Sequence, residues 1–452
     1  MSSLAHLLLD GDPEALVVRA GAEALTRAEL VRDATVVRDS LVTAGVGPGE
    51  AVAAVLPDRP ATLAALFGAW LARAVYLPLN PRATAGEQAR VLEAVRPAVL
   101  LNAGGIEPAR PAGPGGHEPG PPARHDLDVA LVQLTSGTTG PPKPVPLRHS
   151  TVLALMDGVL RKLGWRGPDA TRPPQPNLIP VSLSLWAGIY NVLFAFRVGA
   201  PVVLMEGFST AELAELVRRF EIRSVVLPPA AMTMLCDDDA ITDLAPLRIV
   251  RSITAPLSPL QARRFREKFG IVVLNSYGQT ELGGEVVGWN AADAREHGEA
   301  KLGAVGRPHE GVEVRVDETG ELWVHSPAMA DGEFQRTGDV ARLDEDGFVW
   351  IEGRVSDMVN RGGLKVFPAE VEEVLRLHPD VQDVAVTGVP DDRLGEVPWA
   401  FVVSAGGGVD AQALDEHCRR HLAPYKVPAG FEVVDALPRS ELGKVLHRDL
   451  SI

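Results

Sequence analysis

The stretch Leu134-Thr135-Ser136-Gly137-Thr138-Thr139-Gly140-Pro141-Pro142-Lys143 concentrates groups that can hold an anion. Six of its ten residues are Gly, Ser or Thr, four carry hydroxyls, and a Lys closes it. Hydroxyls and free backbone N–H groups donate hydrogen bonds, glycine lets the backbone approach a bulky ligand, and an ammonium adds a point charge. A polyphosphate is the natural occupant. The loop is not a P-loop, because Pro141 and Pro142 precede Lys143 and Pro144 follows it, and proline cannot continue a helix interior. A short Gly-rich match alone is as often a solvated turn, so this loop needs support from elsewhere in the chain.

Four further places supply candidates. Asn275-Ser276-Tyr277-Gly278-Gln279-Thr280-Glu281 follows the apolar run Ile271–Leu274 and reads as the carboxyl end of a buried strand, where ligands of open α/β sheets bind. Glu281 is a carboxylate suited to Mg²⁺, which prefers oxygen ligands and keeps water and phosphate in its shell. Thr337-Gly338-Asp339 is a turn presenting a carboxylate to sugar hydroxyls, and Gly353-Arg354 places an Arg in a second turn. Pro438-Arg439-Ser440-Glu441-Leu442-Gly443-Lys444 offers a Lys after a Gly on a loop. Taken singly, a Thr-Gly-Asp is more often a plain turn former and a Lys near the C-terminus more often a solvated charge.

The elements that must position these residues alternate helix and strand. Thr26 and Glu29 form a capping-box pattern at the start of a helix running to about Ala44. Ala51–Leu56 and Ala74–Leu79 read as buried strands around an apolar helix from Pro60, and Val129–Leu134 as the strand leading into the Ser/Thr/Gly loop. Such β-α-β alternation implies a parallel sheet with helices on its faces. The segment from Asn102 to Asp126, with six prolines and six glycines, reads as a loop. Helices follow at Thr151–Leu163 and from Ser209, with strands at Pro201–Leu204, Ser224–Leu227, Leu247–Val250 and Ile271–Leu274. Residues 310–351 shift to short strands with Gly and Asp turns. The last hundred residues read as a compact α+β unit, set off by the turn-rich Gly353–Asp357. No repeat period is evident.

With 452 residues the chain is long enough for two or three domains, and 46% hydrophobic with 23% charged residues is ordinary for a globular enzyme. A net charge of -15 argues against a nucleic-acid binder. Cys236 and Cys418 are the two cysteines, too few for a disulfide framework or a Cys metal site, which fits a reducing cytoplasm. No signal peptide is expected, and the apolar stretch Trp186–Met205 is broken by Asn191, Arg197, Gly199 and Pro201, so it reads as core rather than a membrane span.

These five motifs in this order resemble the adenylate-forming superfamily of acyl- and aryl-CoA ligases, luciferases and adenylation domains, over nearly the whole chain from about Leu25 to Leu450. Tyr76-Leu77-Pro78-Leu79-Asn80-Pro81 is similar to a further family segment. The resemblance implies an α/β fold: a large N-terminal domain of stacked mixed β-sheets flanked by helices (1–355), then a small mobile α+β C-terminal domain (356–452). It implies that Thr135, Ser136, Gly137, Thr138, Thr139 and Lys143 hold the β- and γ-phosphates of ATP, and that Asn275, Ser276 and Tyr277 contact adenine. Thr280 matches the α-phosphate contact, Glu281 the Mg²⁺ carboxylate, Asp339 and Arg354 the ribose pair, and Lys444 the lysine of the adenylation step. Gly362 and Gly363 match the segment that faces the site during thiol transfer, with Ser356 at the hinge. The activity implied is ATP- and Mg²⁺-dependent acid activation through an acyl-adenylate, then transfer to a thiol, most simply CoA. Loading of an acyl carrier protein in natural-product biosynthesis, or an amine acceptor, stays open, as does a monomer or a homodimer.

Some positions depart from the family pattern. Pro144 replaces a Gly and stiffens the loop, and Ser356 replaces the usual Asp or Lys of the hinge. Pro180–Trp186 lacks a His gate, so Trp186 is either a gate or core. No Asp lies between Asn177 and Ala195 to meet an ammonium, which favours an acid without an α-amino group. Ile253 and Thr254 stand where relatives have glycines; with Ala255, Gly278 and Trp186 they form the expected acid pocket, shortened for a small aromatic or short-chain acid.

Overall fold

The computed structural model describes residues 3–109, 121–135, 143–167, 174–255, 257–326, 329, 332–406, 408–439, 445–450 and 452. These fall into two compact units. One runs to Val312 and takes in the described residues between Ser326 and Glu333; the other comprises Glu313–His325 and the chain from Phe334 onward. The four strands Glu313–Val316, Glu321–His325, Gln335–Leu343 and Val349–Arg354, which precede the expected 355/356 boundary, form an antiparallel sheet that pairs only within itself and belongs to the second unit.

The first unit is the expected set of mixed sheets with helices. Its six-stranded sheet runs Gly105–Pro108, Val99–Asn102, Ala51–Ala54, Val75–Pro78, Val129–Thr135, Lys143–Arg148. The middle pairs are parallel and both edges antiparallel. Every residue of Ala51–Ala54 and Val75–Pro78 is buried, as continuous apolar runs in a sheet covered on both faces require. Helix Pro60–Leu71 starts on proline and is buried on most of its circumference, with Phe67 packed edge-on to Trp70 and against Phe196. Helix Arg27–Thr43 opens on the expected capping box: Thr26 Oγ1 accepts from Glu29 N at 3.3 Å and Glu29 Oε2 accepts from Thr26 N at 2.8 Å. The stretch Asn102–Asp126 holds more order than a loop. Val99–Asn102 and Gly105–Pro108 form a hairpin whose turn is tied by Asn102 Oδ1 accepting from Gly104 N at 2.8 Å. Prolines hid two helices: Pro228–Pro229 reads as a strand stop, yet Pro229 begins helix Pro229–Asp237, and Pro259 begins Pro259–Phe269 behind the Ser258 cap.

In the second unit a local repeat appears where the sequence reading saw none. Asp317-x-x-Gly320-x-x-Trp323 and Asp344-x-x-Gly347-x-x-Trp350 build the same hairpin twice. In each, the Asp carbonyl accepts from the Gly N–H at 2.9 Å. One carboxylate oxygen of Asp317 accepts from Thr319 N and Glu321 N, and one of Asp344 from Asp346 N and Phe348 N. The other oxygen takes the indole N–H, at 2.9 Å in Trp323 and 3.0 Å in Trp350. Helices Pro368–Leu375 and Ala411–His421 cover one face of a sheet centred on Val381–Asp391 and Gly395–Ser404, burying Val371, Leu375, Val386, Val402, Leu414 and Cys418. Cys236 and Cys418 are both buried and unbridged. Among the described residues no helix is long and apolar enough to cross a membrane.

Replacing Asp344 by Ala removes several of these bonds at once and is expected to cost about 2 kcal/mol, against about 1 kcal/mol for Trp350→Phe, which frees one oxygen. Urea midpoints of the two variants check the order; equal midpoints would mean that the indole bond carries the whole effect.

Candidate active site

The Ser/Thr/Gly loop hangs between two strands in fixed register. Thr135, last residue of Val129–Thr135, lies opposite Lys143, first residue of Lys143–Arg148. A strand, not a helix, follows Lys143, in keeping with its prolines. Pro144 and Pro146 sit two apart on an edge strand, where a missing N–H on the open side costs no ladder bond. Pro144 therefore stiffens the strand after the loop rather than the loop itself. Lys143 is exposed. Ser136, Gly137, Thr138 and Thr139 lie outside the described residues.

The adenine and Mg²⁺ candidates sit at the end of a three-stranded parallel sheet. Leu227, Ser252 and Asn275 are register partners and the last residues of their strands. The chain therefore leaves all three strands at one edge, and Ser276 N donates to Ser252 O at 3.1 Å there. Asn275 and Tyr277 are buried. Next, Tyr277–Gln279 pairs antiparallel with Gly284–Gly288 across the single 3₁₀ turn Thr280–Leu282. At Gly278 a Cβ would lie 2.1 Å from Gly284 O, so only glycine permits this close pairing. The turn presents Glu281 to solvent, and no cation among the described residues pairs with it. Strand Lys143–Arg148 packs beside this turn, so the strand after the Ser/Thr/Gly loop and the Thr280–Leu282 turn, far apart in sequence, come together.

Of the expected acid-pocket residues, Ile253, Thr254 and Ala255 leave the same edge directly after Ser252. Thr254 has φ +76, a left-handed conformation in which a β-branched residue is strained. Thr254 and Ala255 are exposed and Ile253 is half-buried. Trp186 begins helix Trp186–Arg197 inside the main core cluster, and its ring meets Tyr190 edge-on at 5.6 Å. Its buried Nε1 has no partner among the described residues, so it is core by packing and still carries an unmet donor.

Sequence reasoning missed a buried charge network beside this edge. Arg251 Nη2 donates to both Glu285 oxygens at 2.5 Å, and His309 Nε2 lies 3.1 Å from Glu285 Oε1. Burial alone would raise the Glu285 carboxyl; the Arg251 charge, the His309 hydrogen bond and Lys162 outweigh it and hold it at about 2. Lys162 donates to the carbonyls of Gly288 (2.7 Å), Arg307 (2.5 Å) and Pro308 (3.3 Å), and burial lowers its ammonium to about 8. The available signal was a charge inside each of two otherwise apolar strands, Ile249-Val250-Arg251 and Glu285-Val286-Val287, of opposite sign.

On the second unit, Asp339 and Arg354 are cross-strand partners, with Arg354 Nε 3.0 Å from Asp339 Oδ1. The carboxylate is buried and the Arg half-exposed. Gly362 and Gly363, at φ +59 and +90, are the two central residues of the hairpin joining Val359–Arg361 to Leu364–Val366. Such a two-residue turn demands positive φ at both positions, which gives these glycines a local reason of their own. Ser356 lies on an exposed 3₁₀ turn and donates to Asp357 Oδ1 at 2.7 Å. Lys444 lies outside the described residues.

With this geometry in place, comparison with known proteins is direct. Residues 9–332 match the family model described as AMP-binding enzyme, and 370–444 the AMP-binding enzyme C-terminal domain. The chain is 31% identical to a 2-succinylbenzoate–CoA ligase of Geobacillus kaustophilus, covering 97% of this chain and 95% of that protein. It is 29% identical to the fatty acid–[acyl-carrier-protein] ligase ScoC of Streptomyces coeruleorubidus, over 97% of this chain and 93% of that one. Among solved structures, the o-succinylbenzoate coenzyme A synthetase of Bacillus subtilis in complex with ATP and magnesium ion superposes with a TM-score of 0.85 at 25% identity, covering 99% of both chains.

Two outcomes are expected. Arg251→Met strands a buried carboxylate and should cost about 3 kcal/mol at neutral pH. In the unaltered chain Glu285 is depressed on folding, so its stabilisation is complete above its ordinary value of 4.5 and is lost as pH falls towards about 2. Unfolding temperature against pH for both proteins checks the sign: the gap between them closes on acidification. Thr254→Gly exchanges relief of about 1–2 kcal/mol of strain for about 1 kcal/mol of added chain entropy. Stability should hold while bulkier acids become substrates; a large fall in unfolding temperature would show Thr254 to be unstrained.

Proposed function

As this chain belongs to the AMP-binding enzyme family, we propose that it activates a carboxylic acid with ATP, releases pyrophosphate, and passes the acyl group from the acyl-adenylate to a thiol, CoA foremost. The observation that carries the reading is the convergence of the strand from Lys143 with the turn bearing Thr280 and Glu281. The CoA ligase among the relatives supports CoA as acceptor. Transfer to a carrier-protein thiol is the second reading, favoured by the carrier-protein ligase that matches over the same span.

A carboxylate and ATP are both anions and repel as they approach. Lys143 supplies a fixed positive charge at the phosphate loop, and Thr280 a hydroxyl at the neighbouring turn. Glu281 fits Mg²⁺: it is an exposed hard oxygen donor on a rigid turn with no competing cation among the described residues. Bound there with phosphate oxygens, Mg²⁺ would offset negative charge as the α-phosphorus is attacked. Asn275, Ser276 and Tyr277 hold the base, and the Asp339 carboxylate, kept in place by Arg354, holds the ribose hydroxyls. Lys444 serves adenylation, and Gly362–Gly363 face the site for thiol transfer after a rotation about Ser356.

Glu281→Gln is expected to lower acid-dependent pyrophosphate exchange by about a hundredfold or more. Lys444→Ala should slow adenylate formation on the order of a thousandfold while sparing thiolysis of a supplied acyl-adenylate. Equal losses in both half-reactions would contradict the division of labour between Lys444 and the Gly362–Gly363 turn. AMP release with CoA against holo-carrier protein decides the acceptor.

A further inference from the structure

The charge network beside the expected acid pocket leaves bonding capacity that no described residue uses. Tyr190 Oη is buried and has no hydrogen-bond partner among the described residues. An orphaned buried hydroxyl has lost its water without a replacement partner, so native proteins seldom keep one without a use. The Tyr190 ring lies against Gly284, whose Cβ position would be 3.2 Å from Tyr190 Cε2. Any side chain at 284 would push the phenol away. Gly284 precedes Glu285, and Glu285 and Arg251 are near enough to Tyr190 to act on its ionisation in opposite senses. Burial, then Glu285, raise it, so the phenol keeps its proton and remains a donor.

Arg251 points the same way. Its bonds to Glu285 use Nη2 alone, and no described residue takes Nε or Nη1. A fifth of its side-chain surface is still exposed. The residues that follow it are Ser252 and then Ile253 and Thr254, two of the pocket candidates. Among the described residues that act on Lys162, Arg251 and Arg307 stand with it against Glu285 and Asp293, three cations to two carboxylates, and Arg307 is bonded to Asp293. The unmet donors and the excess positive charge both call for an acceptor oxygen, and an anionic one best.

We propose that Tyr190 and Arg251 receive a second acceptor oxygen on the tail of the acid, so that this protein selects short acids with a distal carboxylate over those with a distal hydroxyl, and both over plain alkyl or aryl acids. Tyr190 and Arg251 are specificity residues, remote from the reacting carboxylate. The inference rests on the acid-activating reading above and adds the substrate class to it.

The test uses the full chain and three acids on one skeleton, ending in carboxylate, hydroxyl or methyl. Each is assayed by pyrophosphate exchange, and its acyl-sulfamoyl adenosine is assayed by calorimetric binding, which needs no turnover. The carboxylate acid should exceed the methyl acid at least about tenfold in kcat/KM and in affinity, with the hydroxyl between them. In Tyr190→Phe, and in the charge-neutral double variant Arg251→Met with Glu285→Leu, that ratio should fall below about threefold. A wild-type protein that treats the three alike or prefers methyl overturns the proposal, as does a ratio that survives in both variants. Exchange with no ranking sinks this proposal and leaves the activity standing. Ranked binding without exchange does the reverse, and neither binding nor exchange sinks both.

Discussion

Three parallel strands that end at the same level are the constraint on which the candidate site depends. Because Leu227, Ser252 and Asn275 are register partners, the segments after them must all turn at one sheet edge. That crowding accounts for Ser276 bonded to Ser252 O, for the left-handed backbone at Thr254, and for the close approach at Gly278. It also sets the origin of the Thr280–Leu282 turn, so that Glu281 projects beside the strand from Lys143. A carboxylate and an ammonium brought near a shared edge, with backbone donors around them, suit a triphosphate and its metal.

Beside that edge the unit keeps a buried ion pair whose desolvation apolar residues would avoid. Arg251 and Glu285 lie on adjoining sheets of the same unit and are joined at 2.5 Å. Lys162 brings a third charge from helix His149–Lys162, which packs on the Gly284–Gly288 strand. Such a network ties the parallel sheet, the hairpin and the helix in one arrangement, and it gives the surroundings of the candidate pocket residues Ile253 and Thr254 a polarity that simple burial of apolar surface would not.

In the second unit, local turn chemistry explains more than distant contacts do. The twin Asp-x-x-Gly-x-x-Trp hairpins satisfy their own backbone and indole donors through one carboxylate each, and they stiffen the sheet that carries Asp339 and Arg354. The paired glycines at 362 and 363 follow from a two-residue hairpin turn, whatever else they do.

Taken alone, the amino-acid order determined the elements whose signals are local. The Thr26 capping box, the buried strands at 51–54 and 75–78, and the strand leading into the Ser/Thr/Gly loop were all legible from neighbours a few residues apart. Prolines misled at helices beginning on Pro229 and Pro259, because a proline that ends one element is equally suited to the first turn of the next. Tertiary structure alone decided that the Thr280–Leu282 turn lies beside strand Lys143–Arg148, that Tyr190 rests on Gly284, and that Arg251 and Glu285 find each other. These meetings join residues separated by dozens of positions or more, and their distances are set by sheet register and helix packing, which no short window of sequence encodes.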